Sequence, residues 1–351
     1  MTNPDSPSSP PETDRIVVAS QSRQVSRLTG VQILATGSYA PENVVRNENL
    51  AELGYDADWI VKRTGIQARC WAADDQATSD IAYEAAVRCL KNGDIDISEI
   101  DLILLATITP DQPTPSTACH VQRMLGSDAP AMDIGAACAG FMYALITGMQ
   151  FVACGTYKRV LIIGADLMSR TVNPKDMKTF PLFGDGAGAV VISPGTADQG
   201  FHSFTLGADG NGAQLLHMPA GGTRCPTTPE SLSQELQYLT MDGRSVFKWA
   251  IRTLSDSVNQ VLDYAEIEPA DIDLTILHQA NNRIIQAAAA DLGLNQDDVF
   301  VNLDRYGNTS AASIPLALDE AYQAGLISPN DKILFSGFGA GLSWGSGVWQ
   351  W

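Results

Sequence analysis

Short apolar runs recur along the chain, and amphipathic segments with helical spacing separate them. The runs lie within 99–106, 158–166, 271–278 and 331–339, and each has the length of one strand. An earlier run, VQILATGSY, begins after Gly30 and has the pattern of a strand that leads into a turn. Because strand patterns alternate with helix patterns, the sequence predicts an α/β fold with mostly parallel sheets and helices on their faces.

Two pairs of these runs indicate an internal repeat. EIDLILLA at 99–106 resembles DIDLTILH at 271–278, and KRVLIIGAD at 158–166 resembles DKILFSGFG at 331–339, with offsets of 172 and 173 residues. A third pair, FGDGAGAVV and FGAGLSWGSGV, has a shorter offset and lies outside this register. A constant offset predicts two copies of one α/β unit. In the first alignment Cys138 lies opposite Ser310, which would bring polar residues of both halves together at their junction.

The repeat and the composition divide the chain into three parts. Its first residues, MTNPDSPSSPPE, are rich in Pro and Ser and poor in apolar residues, which predicts a flexible arm. We place this arm at 1–28, an N-terminal half at 29–197 and a C-terminal half at 198–351.

Composition and charge exclude several classes of function. The 351 residues carry a formal net charge of −18, whereas nucleic acids and anionic membranes are bound by basic surfaces. No apolar run has the length of a membrane span or of a signal-peptide core, so a cytoplasmic protein is expected. The six cysteines have neither metal-ligand spacing nor the density of a disulfide framework. We expect no metal and no bound cofactor.

A candidate nucleophile is Cys138, in the segment MDIGAACAGFMYAL. The strand pattern ends near Ile134, small residues permit a sharp turn, and a helical pattern follows. A cysteine at the start of a helix meets unpaired N–H groups and the positive end of the helix dipole, which predicts a lowered thiol pKa. The alternative is a buried structural cysteine, which packs as a small apolar side chain.

Two polar residues in the C-terminal half favour the catalytic interpretation. His278 follows the apolar run 274–277, and Asn308 follows Gly307 in a turn before a segment of small residues. Open α/β sheets collect their active sites at the carboxyl ends of strands. Taken singly, His278 could be a buried histidine with a satisfied partner, and Asn308 could be a turn former. Together with Cys138 they form a Cys, His, Asn set.

The glycine-rich segment FGDGAGAVVIS allows a second interpretation, a nucleotide-binding loop. However, it lacks both the GxGxxG spacing before a helix and the lysine of a P-loop, and VVIS continues as a strand. We therefore predict that its glycines permit close backbone packing beside the active site.

Six ordered motifs resemble those of β-ketoacyl-[acyl-carrier-protein] synthase III, a condensing enzyme of the thiolase superfamily. They are DWIVKRTGIQAR, AACAGF, FGDGAGA, LHQANNRII, RYGNTSAASIP and FGAGLSWGSG, spread over about residues 30–351. The resemblance implies a five-layer αβαβα sandwich that forms a homodimer. It also implies a ping-pong reaction in which an acyl group moves from acyl-CoA to Cys138. Malonyl-acyl-carrier protein then loses CO₂ and attacks the acyl-enzyme, with His278 and Asn308 as donors to the malonyl thioester oxygen.

The same resemblance assigns residues around the substrates. Trp59 and Arg63 match contacts to the CoA adenine and phosphates, although Met177 replaces an arginine that often covers the other face of the adenine. The remaining matches are Gly243 and Asn281 for pantetheine, the backbone N–H of Ala340 for the acyl-transfer oxyanion, and Lys248, Arg252 and Arg283 for the carrier protein. Ala290 and Asp291 stand where relatives often carry lysines, so carrier docking is expected to be weaker or more selective. Thr114 stands where short-primer relatives carry phenylalanine, which predicts a longer acyl pocket.

Two other functions remain open at this point. One is a starter-unit or C–O, C–N or C–S bond-forming acyltransferase of a secondary-metabolite pathway on the same fold. The other is a non-catalytic binding paralogue. The presence of all three residues of the set argues against both, because His278 and Asn308 would be dispensable without malonyl decarboxylation.

Overall fold

The structure is a computed structural model that describes residues 24–351. Most of the predicted arm, residues 1–23, lies outside the described residues. The rest of the predicted arm includes a strand at Ser26–Thr29, which pairs with the C-terminal half. Part of the predicted flexible arm is therefore a strand, and Leu28 packs its side chain against the central core.

The helices and strands alternate along the chain as the sequence pattern predicts. The strands are β1 Ser26–Thr29, β2 Val31–Tyr39, β3 Asn43–Arg46, β4 Ala68–Trp71, β5 Leu102–Ala106, β6 Ala131–Ile134, β7 Val160–Leu167, β8 Asp185–Pro194, β9 Gly200–Ala208, β10 Leu216–His217, β11 Thr240–Met241, β12 Leu274–Leu277, β13 Lys332–Gly339 and β14 Ser343–Gln350. The α-helices are α1 Ala57–Thr64, α2 Thr78–Asn92, α3 Thr117–Leu125, α4 Gly140–Ala153, α5 Pro229–Ser233, α6 Gly243–Ala265, α7 Asn282–Asp291, α8 Leu303–Tyr306 and α9 Ser313–Gln323.

Two five-stranded sheets form the frame of the molecule. The N-terminal sheet has the order β2-β8-β7-β5-β6, and the C-terminal sheet has the order β1-β9-β14-β13-β12. Only β5 with β6, β5 with β7 and β12 with β13 pair in parallel within these sheets, so the prediction of mostly parallel sheets is wrong. A short turn joins β13 to β14, and strands joined in this way must run antiparallel.

Five layers pack together around these sheets. Helices α4 and α9 lie between the two sheets and share one apolar cluster with both of them. Helices α2 and α3 cover the outer face of the N-terminal sheet, and α6 and α7 cover the outer face of the C-terminal sheet. Because β7 is buried along its whole length on both faces, its sequence is apolar or small at every position except Asp166. The predicted αβαβα sandwich is confirmed.

The two halves repeat the same turn at the junction between the sheets. A short 3₁₀ turn at Ala137–Ala139 precedes α4, and another at Ser310–Ala312 precedes α9. Both begin with a residue in the left-handed region, Ala137 at φ 47° and Ser310 at φ 52°. The predicted boundary between the halves, 197/198, falls in the segment that joins β8 to β9.

Candidate active site

Cys138 lies in the turn between β6 and α4, deep in the junction of the two halves. Its side chain is 6% exposed, and its Sγ atom lies 3.4 Å from the hydroxyl oxygen of Ser310. The turn also packs closely against β13, since a Cβ added to Gly339 would lie 2.7 Å from the Cys138 backbone nitrogen. Only glycine at position 339 allows this approach, which fixes the thiol at the end of a cavity.

The predicted lowering of the Cys138 pKa is wrong. Burial raises the pKa of the thiol to about 12, because desolvation outweighs the opposing hydrogen bond to Ser310. The negative charge of Asp166 acts in the same direction as burial.

His278 follows the last residue of β12, as the sequence pattern predicts. Its ring is 1% exposed, and burial lowers the pKa of the imidazole to about 3, so the ring is neutral at physiological pH. The Nδ1 atom lies 2.6 Å from the hydroxyl oxygen of Ser313, which also accepts a hydrogen bond from the Gln279 backbone at 3.4 Å. With Nδ1 engaged, Nε2 is the nitrogen that remains for a substrate in the cavity. The ring of Phe338 packs edge-on at 5.2 Å and fixes the orientation of the imidazole.

Asn308 is held by both its backbone and its side chain. Its N–H donates to the Leu182 carbonyl at 2.8 Å, and its carbonyl accepts from the Gly184 N–H at 3.1 Å. Its side-chain oxygen Oδ1 accepts from the Ser310 N–H at 2.9 Å. Because the amide oxygen is occupied, the carboxamide presents its NH₂ group as a donor.

The three residues line one inner cavity of about 100 Å³, together with mostly apolar side chains. A wider outer cavity continues from it to the surface, and both cavities share Leu182, Met241, Gly243 and Asn281. The side chains of the outer cavity include the aromatic Trp59, the apolar Met177 and four cationic groups: Arg63, Lys178, Arg244 and Arg283. The arrangement is a tunnel that leads from a cationic opening to a buried thiol and two neutral donors.

Comparison with known proteins shows the family of the chain. Two family models match the chain: 3-oxoacyl-[acyl-carrier-protein] synthase III over residues 132–210, and the C-terminal region of the same family over residues 262–351. The β-ketoacyl-[acyl-carrier-protein] synthase III of Rhodopirellula baltica is 55% identical over 345 residues, which cover 93% of this chain and 100% of the relative. The chain belongs to the β-ketoacyl-[acyl-carrier-protein] synthase III family.

Solved structures of synthase III enzymes share the fold along nearly the whole chain. The enzyme of Aquifex aeolicus superposes with a TM-score of 0.85 at 40% identity, covering 92% of this chain and 100% of that structure. The enzyme of Thermus thermophilus has the same TM-score at 42% identity, covering 91% of this chain and 98% of that structure. The fold and the family inferred from the sequence motifs are therefore confirmed.

The residues that the synthase III resemblance assigns to CoA lie together at the outer cavity. Trp59 and Arg63 are on α1, with the guanidinium 5.5 Å from the indole ring centre. Asn281 caps the N-terminus of α7 through the Arg283 N–H and donates to the Arg63 carbonyl at 3.2 Å, which ties α7 to α1. Gly243 begins α6 at the same cavity, and Met177 is exposed at its rim.

The remaining predicted residues lie outside the inner cavity. Lys248 and Arg252 are exposed on α6, where Arg252 forms an ion pair with Asp256 at 3.6 Å, and Arg283 packs over Phe247. Ala340 lies in the turn between β13 and β14, beside Gly339. Thr114 is exposed on the loop between β5 and α3 and does not line the inner cavity within one chain.

Three polar residues near the site were not selected from the sequence. Ser313 contacts His278 from 35 positions away, and nothing in its local pattern indicates this. Arg244 lies beside Gly243 at the outer cavity and could have been selected as a cation next to a predicted substrate contact. Asp166 carried the clearest signal, because a carboxylate within the buried strand β7 requires a specific reason for being there.

The structure adds two negative findings for the part of the chain that it describes. Residues 24–351 contain no helix with the length and hydropathy of a membrane span. Within the same range, no three His, Cys, Asp or Glu side chains are grouped in a way that would hold a metal ion.

Proposed function

We propose that this protein condenses an acyl-CoA primer with malonyl-acyl-carrier protein, with loss of CO₂, to give a 3-oxoacyl-carrier protein. This reaction initiates fatty acid synthesis. The observation that supports it most strongly is the placement of one buried thiol and two neutral donors at the end of a single tunnel. Family membership supports the same reaction class.

In the first half-reaction the Cys138 thiolate attacks the thioester carbonyl of acyl-CoA. The exchange is between two sulfur nucleophiles, so the acyl-enzyme is close in energy to the starting thioester. The oxyanion of the tetrahedral intermediate is held by the backbone N–H groups of Cys138 and Ala340. The close packing of Gly339 on the Cys138 backbone supports this assignment, since it places the start of the β13–β14 turn beside the nucleophile.

In the second half-reaction His278 and Asn308 stabilise the enolate that forms when malonyl thioester loses CO₂. Both are neutral donors, so neither has to change its protonation state to act. The lowered pKa of His278 and the occupied Oδ1 of Asn308 support this role. One well-placed donor to a developing oxyanion contributes about 3 kcal/mol to a transition state. The carbanion then attacks the acyl group on Cys138, the C–S bond breaks, and Cys138 leaves as a thiolate that takes up one proton from water.

The outer cavity binds the CoA nucleotide. The indole of Trp59 is 37% exposed and offers a face for the adenine, and Arg63 lies beside it for the phosphates. Of the two lysines near Met177, Lys175 is engaged by Glu235 at 2.6 Å, whereas Lys178 lines the cavity. Lys178 and Arg244 therefore supply the positive charge that Met177 lacks.

The carrier protein docks on the cations around the tunnel opening. Carrier proteins are acidic, and a chain of net charge −18 needs a local basic surface to receive one. Arg283 lines the outer cavity and Lys248 is exposed on α6, and both supply this charge, whereas the ion pair of Arg252 with Asp256 reduces its contribution. Ala290 and Asp291 add no positive charge on α7, which fits a weak or selective interaction.

The working unit is a homodimer in which β6 meets its copy in a second chain. Strand β6 is the edge of the N-terminal sheet, and its Met132 side chain is 40% exposed. An apolar edge strand of this kind is a site for pairing with another chain. Sedimentation of the purified protein measures the oligomeric state directly.

The test of the function is a product assay with purified protein. It is supplied with acyl-CoA and malonyl-carrier protein, and the products are followed by mass spectrometry. We expect free CoA, CO₂ and a 3-oxoacyl-carrier protein in equal amounts. Formation of an ester, amide or thioester without CO₂ would instead assign the protein to non-decarboxylating acyl transfer.

A further inference from the structure

A buried carboxylate lies behind the nucleophile and is not used by the reaction as described so far. Asp166, near the end of β7, is 0% exposed. Its carboxylate is surrounded by donors from the segment after β5 and from the turn before α9. These donors are the hydroxyls of Thr107 and Thr109, the N–H groups of Ile108 and Thr109, and the Ala311 N–H at 3.1 Å from Oδ2.

Ser310 connects this carboxylate to the nucleophile. Its hydroxyl oxygen is 3.4 Å from the Sγ atom of Cys138, the N–H of the next residue, Ala311, donates to Asp166 Oδ2 at 3.1 Å, and the Ser310 side chain is close enough to lower the pKa of that carboxyl. Ser310 is 0% exposed and is held at φ 52° in the turn before α9. The three side chains form a continuous line from the inner cavity into the interior.

We propose that Asp166, acting through the Ser310 hydroxyl, accepts the proton of the Cys138 thiol when the nucleophile is activated. This inference rests on the proposed acyl transfer to Cys138. It assigns a positioning and relay role to Ser310 and Asp166, and it does not involve His278.

The proton and electron pairs balance within the first half-reaction. The S–H bond breaks, its proton passes to Ser310 Oγ, and the original Ser310 proton passes to Asp166, which becomes a neutral acid. The electron pair left on sulfur forms the new C–S bond to the acyl carbon. When the tetrahedral intermediate collapses, the C–S bond to CoA breaks. The departing sulfur then takes the proton back through Ser310, and CoA leaves as a thiol.

This relay explains how a thiol in a dry site can become a thiolate. Burial raises the pKa of both Cys138 and Asp166. Ionising both groups would place two negative charges close together in a desolvated site. Moving the proton from one to the other keeps a single negative charge, and the Ser310 hydroxyl then donates to it. The donors to the carboxylate named above are uncharged hydroxyl and N–H groups. The proton transfer therefore involves only the charges of Cys138 and Asp166.

The test measures the reactivity of the Cys138 thiol without any substrate. Iodoacetamide alkylates thiolates, and intact and peptide mass spectrometry gives the rate at Cys138 as a function of pH. We expect Ser310→Ala to slow this alkylation about 100-fold near neutral pH, the order of one general base. The pH profile should shift upward. The replacement is conformationally mild, because Ala137 holds the equivalent left-handed position in the other half.

A matched control removes a buried serine hydroxyl elsewhere. Ser257 is 0% exposed and its hydroxyl lies 2.8 Å from that of Ser346, between α6 and β14. Ser257→Ala should leave the alkylation profile of Cys138 unchanged. A wild-type alkylation profile in Ser310→Ala would overturn the relay, even if the protein condenses its substrates as proposed.

A second variant separates Asp166 from a purely structural role. Asp166→Asn, which cannot take the proton in the same way, should slow alkylation as Ser310→Ala does. Combined with Ser310→Ala it should add no further loss, since both act on one path. Additive losses would contradict the relay. If Asp166→Asn does not fold, the pH profile of Cys138 alkylation in Ser310→Ala alone tests the relay. Failure of the wild-type protein to form acyl-Cys138 would count against the proposed function and leave the alkylation result intact.

Discussion

At the residue scale, desolvation determines the protonation of the site. Cys138 and His278 are almost completely buried, and burial disfavours the charged form of each. The result is a protonated thiol and a neutral imidazole in the same cavity. The neutral imidazole suits the donor role, whereas the thiol needs a group that can take its proton.

The buried His278 makes the stability of the protein depend on pH. Its pKa is about 3 in the folded chain and near 6.5 when exposed, so only the unfolded chain binds this proton between these values. Above pH 6.5 the free energy of unfolding keeps the full contribution of the neutral His278 ring. As the pH falls from 6.5 toward 3, the free energy of unfolding decreases by about 1.4 kcal/mol per pH unit. Denaturant unfolding of wild type and His278→Gln at several pH values measures this. We expect a smaller loss of stability on acidification in the variant, and equal losses would contradict the burial argument.

The two donors should affect the half-reactions differently. We expect His278→Ala and Asn308→Ala each to slow condensation by about 100-fold or more, because each removes a donor to the enolate oxygen. Acylation of Cys138 by acyl-CoA should be much less affected, since its oxyanion is held by backbone N–H groups. Single-turnover rates of the two steps give the comparison. Equal losses in both steps would indicate misfolding or a different role.

At the element scale, glycines in the segment after β7 determine how closely the two halves meet. A Cβ on Gly184 would overlap the Tyr306 carbonyl oxygen, and the Gly184 N–H donates a hydrogen bond to the Asn308 carbonyl. The glycine-rich segment was predicted to pack tightly beside the site and to continue as a strand. The structure confirms both features, since β8 follows directly.

Substitution of Gly184 should therefore damage both stability and catalysis. We expect Gly184→Ala to lower the free energy of unfolding by about 1–3 kcal/mol through overpacking, and to reduce condensation by displacing Asn308. Gly210→Ala is the control, because a Cβ there meets open space. Thermal unfolding and condensation rates of both variants measure the effect. A Gly184→Ala protein as stable and active as the control would show that the contact is not limiting.

The element order was predictable from the sequence, whereas strand direction was not. Apolar runs such as the one that forms β7 are visible because the strand is buried on both faces. The prediction that the sheets are mostly parallel was wrong. The direction of a strand depends on its connections, such as the turn at Ala340 between β13 and β14, and the apolar run of a strand does not show them. The contacts of Ser313 with His278 and of Asp166 with Ala311 arise from tertiary packing across 35 and 145 positions.

At the scale of the whole molecule, the internal repeat explains why the site lies where it does. The constant offset placed Cys138 opposite Ser310, and the structure brings their side chains to 3.4 Å. The equivalent turns before α4 and α9 meet between the two sheets, so each half contributes polar groups to one cavity. Charge at the tunnel opening was less predictable, because the ion pairs of Arg252 and Lys175 depend on neighbours in the folded chain.

Primer length is also a property of the assembled molecule. Thr114 is exposed in one chain, so it can shape the acyl pocket only across the proposed dimer. We expect acyl-CoAs of about eight to twelve carbons to acylate the protein faster than acetyl-CoA, since each buried CH₂ contributes about 0.8 kcal/mol. Thr114→Phe should remove this preference. Competition between the two acyl-CoAs, read by intact mass, tests it, and a clear preference of the wild type for acetyl-CoA would contradict the longer pocket.

The central claim is that Cys138 carries the acyl group between the two half-reactions. The most direct measurement is a chase: the protein is acylated with acyl-CoA, freed of excess substrate and mixed with malonyl-carrier protein, and peptide mass spectrometry follows Cys138. We predict that the acyl mass appears on Cys138, is absent from Cys138→Ala, and transfers into 3-oxoacyl-carrier protein as CO₂ is released. An acyl group on another residue, or one that stays on Cys138 while product forms, would contradict the account.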